Sequence, residues 1–327
     1  MSINSSLNIN NGTSKHRKKV AVIGMGYVGG GIVYSLMIKN IADTIVLIDK
    51  KSDTTNAEML DIRPGISDIG TTKVVAGTYE DIKDCDLIII TAGRNRKHDE
   101  SRLDLTEDNV KVTDEVISEL KKYYNKGVIL IVTNPVDVIT QYITKSMNLP
   151  HGKVFGTGCI LDTSRFISAV AEYTSQDIND IDAMIIGEHG AGQIHLWDSV
   201  KIKELPLKTF CEKNNLKFDE EVKKSISQKI INMGSEIIFG KGRTHFGTSA
   251  CVTYLADSIL NNKQIIAPVS VLRQGEYGIN DVSLSLPTIV NSDGANTTIS
   301  VKLNEEEKKQ LKDTADKLAD VCQKYCS

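Results

Sequence analysis

The stretch VIGMGYVG, residues 22–29, decides the fold, because an apolar run leads directly into three glycines with the spacing G-x-G-x-x-G. Gly24, Gly26 and Gly29 predict a tight strand-to-helix turn whose backbone can approach a pyrophosphate at the helix N-terminus. Asp49 ends the next apolar run, 20 residues after Gly29, and can accept hydrogen bonds from both hydroxyls of an adenosine ribose. The alternative is a structural turn beside a surface acid. The complete spacing favours a dinucleotide site, and a carboxylate that repels a 2′-phosphate favours NAD over NADP.

Apolar runs and helical patterns alternate on both sides of this turn. The runs are continuously apolar, as expected for parallel strands that are covered on both faces: KVAVIGMG, TIVLID, KVVAG, DLIIITAG, KGVILIVTN and HGKVFGTG. They predict an α/β fold with a Rossmann-type doubly wound parallel sheet. After about residue 158 the order changes to an α+β pattern, with helices near 161–173, 219–238 and 248–260, strand runs IIAPVSVL, VSLSLPTIV and TTISVKL, and a charged terminal helix from Glu305.

The domain organisation follows from this change of pattern. A chain of 327 residues is long enough for two domains. We predict a polar N-terminal arm at residues 1–18, an NAD-binding Rossmann domain at 19–158 and an α+β substrate domain at 159–327.

Composition limits the classes of function. With 39 basic and 42 acidic residues the chain has no broad positive field, so we expect neither nucleic-acid nor membrane binding but small-molecule chemistry. No apolar run approaches the roughly 20 residues that span a bilayer. The six cysteines lack paired metal spacing, which predicts no metal site and a reducing cytoplasmic location.

Four polar motifs carry the candidate chemistry. His189 follows the apolar run of IIGEHG, Asp162 and Arg165 lie three residues apart in LDTSRF on one helical face, and Asn134 ends a buried strand in VTNP. Arg102 lies in the charged segment ESRLDL. Three of these sites have an ordinary alternative. His189 can be a packed or surface histidine, Asp162 and Arg165 can form a local ion pair, and Arg102 can be a solvated arginine.

Together these residues meet the needs of one reaction. Hydride transfer between a nicotinamide and a carbon that bears oxygen requires a proton donor, a cation that polarises the carbonyl, and an anchor for the neighbouring carboxylate. His189 can donate the proton, Arg102 can polarise the carbonyl, and Arg165 can bind the carboxylate in a two-point fork. Asp162 can hold one imidazole nitrogen and stabilise the charged ring. We therefore expect a small 2-oxo or 2-hydroxy acid as substrate.

From about Lys19 onward the chain resembles the NAD-dependent lactate/malate dehydrogenase family, through the motifs GMGYVG, ITAGRN, SRLDL, TNPVD, LDTSRF and GEHG. The resemblance implies the same catalytic roles, a closing lid at residues 94–106 that carries Arg102, and Asn134 beside substrate and nicotinamide. It also implies cofactor contacts by Thr91, Ala92 and Gly93. His98 and Asp99 stand where the family commonly has Pro-Gly, which bears on the geometry of lid closure.

The resemblance leaves two substrates open. Arg96 occupies the position that faces the variable end of the substrate, where lactate enzymes usually have Gln and malate enzymes Arg. Glu100 and the run RLDL resemble the lactate branch, and so does Thr244, which narrows the pocket. We place L-lactate and pyruvate ahead, with L-malate and oxaloacetate as the alternative. A non-catalytic NAD-binding protein is a remote third reading, because His189 and its partners are all present.

The resemblance bears on assembly and regulation as well. Relatives form dimers or tetramers, so we expect a homo-oligomer. Many bacterial lactate dehydrogenases are activated by fructose 1,6-bisphosphate through an arginine and a histidine, at positions that here hold Ile167 and Asp182. We expect no such activation.

Overall fold

The computed structural model describes residues 17–66, 70–94 and 102–325, with 102–104 as backbone only. The first half contains six strands: β1 (Lys19–Ile23), β2 (Thr44–Ile48), β3 (Lys73–Ala76), β4 (Leu87–Ile90), β5 (Val128–Ile131) and β6 (Val154–Gly156). Its helices are α1 (Tyr27–Lys39), α2 (Ser52–Ile62), α3 (Arg102–Tyr123) and α4 (Val136–Met147).

These strands form a parallel sheet in the order β3-β2-β1-β4-β5-β6. This is the doubly wound order, in which the direction of winding reverses between β1 and β4. Ile23 at the end of β1 is in register with Ile48 and Ile90, so the carboxyl ends of three strands meet beside the glycine turn. The predicted Rossmann-type sheet is confirmed.

Alternate residues of each strand face opposite covered sides of the sheet. On β1, Val20 and Val22 belong to the apolar cluster that includes Leu36 of α1, whereas Ala21 and Ile23 belong to the cluster that includes Leu120 of α3. All four β1 residues are at most 2% exposed. Burial on both faces explains why these strands are continuously apolar in the sequence.

The second half adds α5 (Ile160–Thr174), α6 (Leu207–Lys213), α7 (Glu220–Lys241), α8 (Phe246–Asn261) and α9 (Glu305–Gln323). Its longer strands are β12 (Ile265–Gln274), β13 (Asn280–Asn291) and β14 (Gly294–Thr298), and its short strands are β7 (Ile181–Asp182), β8 (Ile185–Gly187), β9 (Gln193–His195), β10 (Lys201–Ile202) and β11 (Leu205–Pro206). The predicted α+β composition is confirmed.

The two halves share one sheet. Ser270 of β12 pairs antiparallel with Gly156 of β6, and β13 pairs with β12. Strands β8 and β14 both pair with β13, and β9 pairs with β8, so the sheet has eleven strands. Strands β7, β10 and β11 form a small separate sheet. The pairing of β6 with β12 joins segments more than 100 residues apart, which sequence patterns do not reveal.

Several boundaries differ from the prediction. Helix α3 begins at Arg102, within the predicted lid at residues 94–106, and the strand predicted in TTISVKL ends at Thr298. Strands β9 to β11 were not anticipated, because two or three residues are too few for a periodic pattern. Helix α6 was not anticipated because its seven residues make only about two turns. Most of the N-terminal arm, at residues 1–16, and residues 95–101 of the predicted lid lie outside the described residues. Within the described chain, no helix combines the length and the apolar character needed to cross a membrane.

Candidate active site

The glycine turn after β1 is closely packed at two of its glycines and open at the third. Gly24 has φ +102°, and a Cβ atom there would lie 2.6 Å from the backbone nitrogen of Ala92. A Cβ atom at Gly29 would lie 1.9 Å from the carbonyl oxygen of Gly24. At Gly26, by contrast, a Cβ atom would meet nothing within 4 Å. Gly26 is also the N-cap of α1 and makes no side-chain cap, which leaves helix N–H groups available to a phosphate.

Asp49 holds the same turn from the end of β2. Its Oδ2 accepts a hydrogen bond from the Met25 N–H at 2.7 Å, and its Oδ1 accepts one from the Lys51 N–H at 3.0 Å. Each carboxylate oxygen can accept a further hydrogen bond, so ribose hydroxyls remain compatible with these contacts. Asp49 therefore fixes the turn as well as presenting an acceptor, and the turn fits a dinucleotide. Only the acceptor role of Asp49 was predicted from the sequence.

The carboxyl end of β4 supports the glycine turn through Thr91. Thr91 donates its hydroxyl hydrogen to the Gly24 carbonyl oxygen at 2.7 Å, and its backbone N–H bonds to the Ile23 carbonyl at 2.8 Å. Ala92 lies against Gly24, and Gly93 lies against the buried side chain of Thr133. The three predicted cofactor residues of this segment thus lie at the glycine turn and at the beginning of the predicted lid.

His189 and Asp162 form the centre of the site. The imidazole Nδ1 lies 2.6 Å from Asp162 Oδ2, although the two residues are 27 positions apart. Asp162 is in the first turn of α5 and is only 3% exposed, while His189 follows β8 and retains 23% side-chain exposure. Arg165, one turn along α5, donates from Nη1 to Asp162 Oδ1 at 3.3 Å. One carboxylate therefore binds both cations.

The electrostatics of the pair follow from this contact. Burial alone would raise the pKa of Asp162, but the charge and hydrogen bond of His189, with the charge of Arg165, lower it. Burial alone would lower the pKa of His189, but the charge and hydrogen bond of Asp162 raise it. Both shifts favour an ionised pair, in which Nδ1 is occupied and Nε2 is left for proton exchange.

His189 lines a small cavity together with residues from both halves of the chain. The other lining residues are Val132, Asn134, Thr157, Gly158, Ile160, Leu161, Thr248 and Cys251. The structure therefore brings Asn134 to the same cavity as His189. Thr248 and Cys251 on α8 were not anticipated, since their helical pattern resembles that of any core-facing helix.

Asp162, Arg165 and Thr244 are predicted catalytic or substrate-binding residues that the structure describes but that do not line this cavity. Asp162 and Arg165 are connected to it through the contact of Asp162 with His189. Thr244 is half-buried in the connection between α7 and α8 and is not among the described lining residues. The guanidinium of its neighbour Arg243 stacks on the ring of Tyr27, at 3.6 Å from the ring centroid. Because Tyr27 follows Gly26 directly, this contact joins the connection to the glycine turn. Arg102 begins α3, but its side chain, like all of Arg96, lies outside what the structure describes.

Two further residues support the site and were missed. Asn109 of α3 is fully buried, and its Nδ2 donates to the Asn134 carbonyl oxygen at 2.6 Å. Asp137 of α4 accepts the backbone N–H of His189 at 2.8 Å. Asp137 belongs to the quoted motif TNPVD, so its position carried a signal, whereas Asn109 is the last of four consecutive polar residues in a helix and has no distinguishing pattern. Among the described residues no three His, Cys, Asp or Glu side chains converge as metal ligands.

The chain was compared with known proteins. Residues 18–156 match the family model of the lactate/malate dehydrogenase NAD-binding domain, and residues 159–327 match that of the lactate/malate dehydrogenase alpha/beta C-terminal domain. The chain belongs to the lactate/malate dehydrogenase family. It is an NAD-dependent oxidoreductase that acts on a CH–OH group, as the resemblance implied.

Family relatives are similar along nearly their whole length. The chain is 35% identical to an L-lactate dehydrogenase of Acetivibrio thermocellus, with coverage of 93% of this chain and 96% of the relative. It is 36% identical to one of Thermoanaerobacterium saccharolyticum, with coverage of 93% and 97%. The crystal structure of the minor L-lactate dehydrogenase from Enterococcus mundtii in the ligands-bound form superposes with a TM-score of 0.89 at 32% identity, covering 94% of this chain and 98% of that chain.

Proposed function

We propose that this family member is an L-lactate dehydrogenase, which reduces pyruvate with NADH to L-lactate and NAD. The proposal rests chiefly on the His189–Asp162 pair, in which the buried Asp162 carboxylate also binds Arg165, at a cavity that His189 and Asn134 line. This arrangement combines a proton donor with an anchor for a carboxylate. The relatives named as L-lactate dehydrogenases support the choice of substrate.

In this mechanism His189 is the acid and base. Its Nδ1 is held by Asp162, so the proton moves between Nε2 and the substrate oxygen. The nicotinamide, when bound, supplies the hydride in reduction and accepts it in oxidation. Asp162 stabilises the imidazolium from which the proton leaves, and it fixes the orientation of the ring.

Two arginines complete the proposed chemistry. Arg165 binds the substrate carboxylate with the part of its guanidinium that Asp162 leaves available, since a guanidinium has five N–H donors. Arg102, carried by the lid at residues 94–106, polarises the substrate carbonyl when the lid closes and excludes water.

The cofactor residues occupy the first half. The Gly24, Gly26 and Gly29 turn holds the pyrophosphate, Asp49 binds the adenosine ribose, and residues 91–93 with Asn134 line the path toward the nicotinamide. We accordingly assign residues 19–158 to NAD binding and residues 159–327 to substrate binding and proton transfer, after an N-terminal arm at 1–18.

L-Malate dehydrogenase is the second candidate, because Arg96 can pair with a second substrate carboxylate. Such a pair in a closed site contributes about 1.5–3 kcal/mol, or one to two decades of specificity. Glu100 and Thr244 favour the lactate assignment only through their resemblance to the lactate branch. The test is a paired measurement of kcat/KM for pyruvate and oxaloacetate with the wild type, Arg96→Gln and, as a control for lost positive charge, Lys97→Gln.

The two assignments give opposite results. If the protein is a lactate dehydrogenase, the wild type prefers pyruvate and Arg96→Gln strengthens that preference. If the wild type prefers oxaloacetate at least tenfold, and Arg96→Gln but not Lys97→Gln reverses this preference, the malate assignment is correct. Turnover of neither acid would contradict both.

We further propose that the enzyme acts in the cytoplasm as a homo-oligomer, a dimer or tetramer. Cys85, Cys159, Cys211 and Cys251 are buried thiols outside any disulfide, which suits a reducing compartment. Large apolar side chains such as those of Leu60 and Phe239 are 66% and 92% exposed, as expected of subunit contacts. Light scattering on the purified protein tests the assembly, and a monomeric mass would contradict it.

A further inference from the structure

Asp137 is a buried carboxylate in direct contact with the backbone of the proposed catalytic histidine. It lies in the first turn of α4, is 3% exposed, and its Oδ2 accepts the His189 N–H at 2.8 Å. The side chain of Ser270 also interacts with this carboxylate and lowers its pKa. A buried carboxylate carries a large desolvation cost, so its presence behind a reacting group calls for a physical reason.

We propose that Asp137 is a positioning residue for His189. The Asp137 carboxylate fixes the His189 backbone and places a second negative charge near the imidazolium. The inference rests on the proposed role of His189 in proton transfer and extends it. Asp162 holds the ring, and Asp137 holds the chain that carries the ring. The two carboxylates lie on different helices, α5 and α4, so they constrain the histidine from two sides.

The charges around the pair support this role. Asp137 raises the pKa of His189, in addition to the larger contribution of Asp162, while Arg165 opposes both. Burial raises the pKa of Asp137 itself to about 6. The carboxylate is therefore mostly ionised at neutral pH and becomes protonated as the pH falls through that pKa. The titratable and charged groups that interact with Asp137 are His189 and Glu188 after β8, Arg273 of β12 and Cys159 before α5.

The two functions of Asp137 can be separated by substitution. Asp137→Asn removes the charge but keeps an oxygen that can accept the His189 N–H. Asp137→Leu removes both. Thr140→Val is the matched control, because Thr140 is equally buried one turn along α4 and its hydroxyl has no partner among the described residues.

The first readout does not depend on turnover. Diethyl pyrocarbonate acylates neutral imidazole, so its rate of reaction with His189, followed by peptide mass spectrometry across a pH series, reports the pKa of this residue. We expect Asp137→Asn to shift the midpoint down by about one pH unit. Thr140→Val should leave the midpoint unchanged. An unchanged midpoint in Asp137→Asn would overturn the proposal, as would an equal shift in Thr140→Val.

The second readout is the pH dependence of kcat/KM in both directions. In Asp137→Asn the alkaline limb of reduction and the acid limb of oxidation should both move to lower pH, because one group has changed its pKa. Asp137→Leu should lower kcat at least tenfold further than Asp137→Asn, with NADH affinity within twofold of the wild type. If Asp137→Leu does not fold, Asp137→Ser tests loss of charge in its place. An acylation midpoint of Asp137→Ser equal to that of the wild type contradicts the proposal. Failure of the wild type to turn over either oxo acid would contradict the proposed function alone, because the acylation midpoints would still report on Asp137.

Discussion

Asn109 and Asn134 are joined by a hydrogen bond of 2.6 Å from the Asn109 Nδ2 to the Asn134 carbonyl oxygen. The same amide donates to the Arg94 carbonyl oxygen at 3.2 Å and accepts the Arg94 N–H at 2.8 Å. One fully buried side chain therefore ties the strand end at the cavity to the beginning of the proposed lid. We expect Asn109→Asp to lower the free energy of unfolding by about 2–4 kcal/mol, because a buried carboxylate would face two carbonyl oxygens.

Denaturant unfolding measures this loss, and Glu107→Gln is its control. Glu107 is exposed and pairs with Lys111 at 2.9 Å, a contact worth less than about 1 kcal/mol. If the two variants lose equal stability, the Asn109 contacts do not hold the lid to the sheet.

Cofactor choice should depend on Asp49. We expect the wild type to prefer NADH over NADPH by at least about one decade in kcat/KM, since a 2′-phosphate loses a ribose hydrogen bond and meets a carboxylate. Asp49→Ser should reduce this ratio mainly by weakening NADH binding, which fluorescence titration measures directly. Equal kcat/KM values for both cofactors in the wild type would contradict the assignment of Asp49.

Proton transfer should give opposite pH limbs in the two directions. Asp162 raises the pKa of His189, so the imidazolium persists to higher pH than in a free histidine. Reduction needs the imidazolium, and its kcat/KM should fall as pH rises through the raised pKa. Oxidation needs the neutral ring, and its kcat/KM should fall as pH drops through the same value. His189→Asn should bind NADH normally and lose about 10²–10⁴-fold in kcat; wild-type turnover in this variant would refute the role.

Fructose 1,6-bisphosphate should not activate the enzyme. Ile167 packs against an apolar cluster of the second half, and Asp182 is exposed on β7. An anionic ligand would therefore find a hydrocarbon side chain and a carboxylate where two cations are needed. The pyruvate saturation curve should be unchanged by the sugar bisphosphate at constant ionic strength. Half-saturation at a lower pyruvate concentration in the presence of the sugar bisphosphate would show that Ile167 and Asp182 do not occupy the activator-binding positions.

The sequence predicted what depends on local pattern or on characteristic residue types. The glycine spacing and Asp49 indicated the nucleotide turn, and continuous apolar runs indicated a sheet covered on both faces. It did not predict the β6–β12 pairing, which depends on contacts between distant segments. Nor did it reveal that Asn109 supports Asn134 or that Asp137 bonds to the His189 backbone, because a side-chain bond to a remote main-chain atom leaves no periodic signal in the sequence.

The pairing of Gly156 with Ser270 also bears on how such a protein can be divided. A fragment that stopped after β6 would leave that strand as an open edge, able to pair with other chains. It would also lose Val252 and Leu255 of α8, which are fully buried in the same apolar cluster as Val20 and Val22 of β1. Such a fragment would be prone to aggregate, and the cofactor half could not be exchanged between enzymes as a self-sufficient cassette. The border between the two halves is a position in the chain and does not correspond to a gap in the packing.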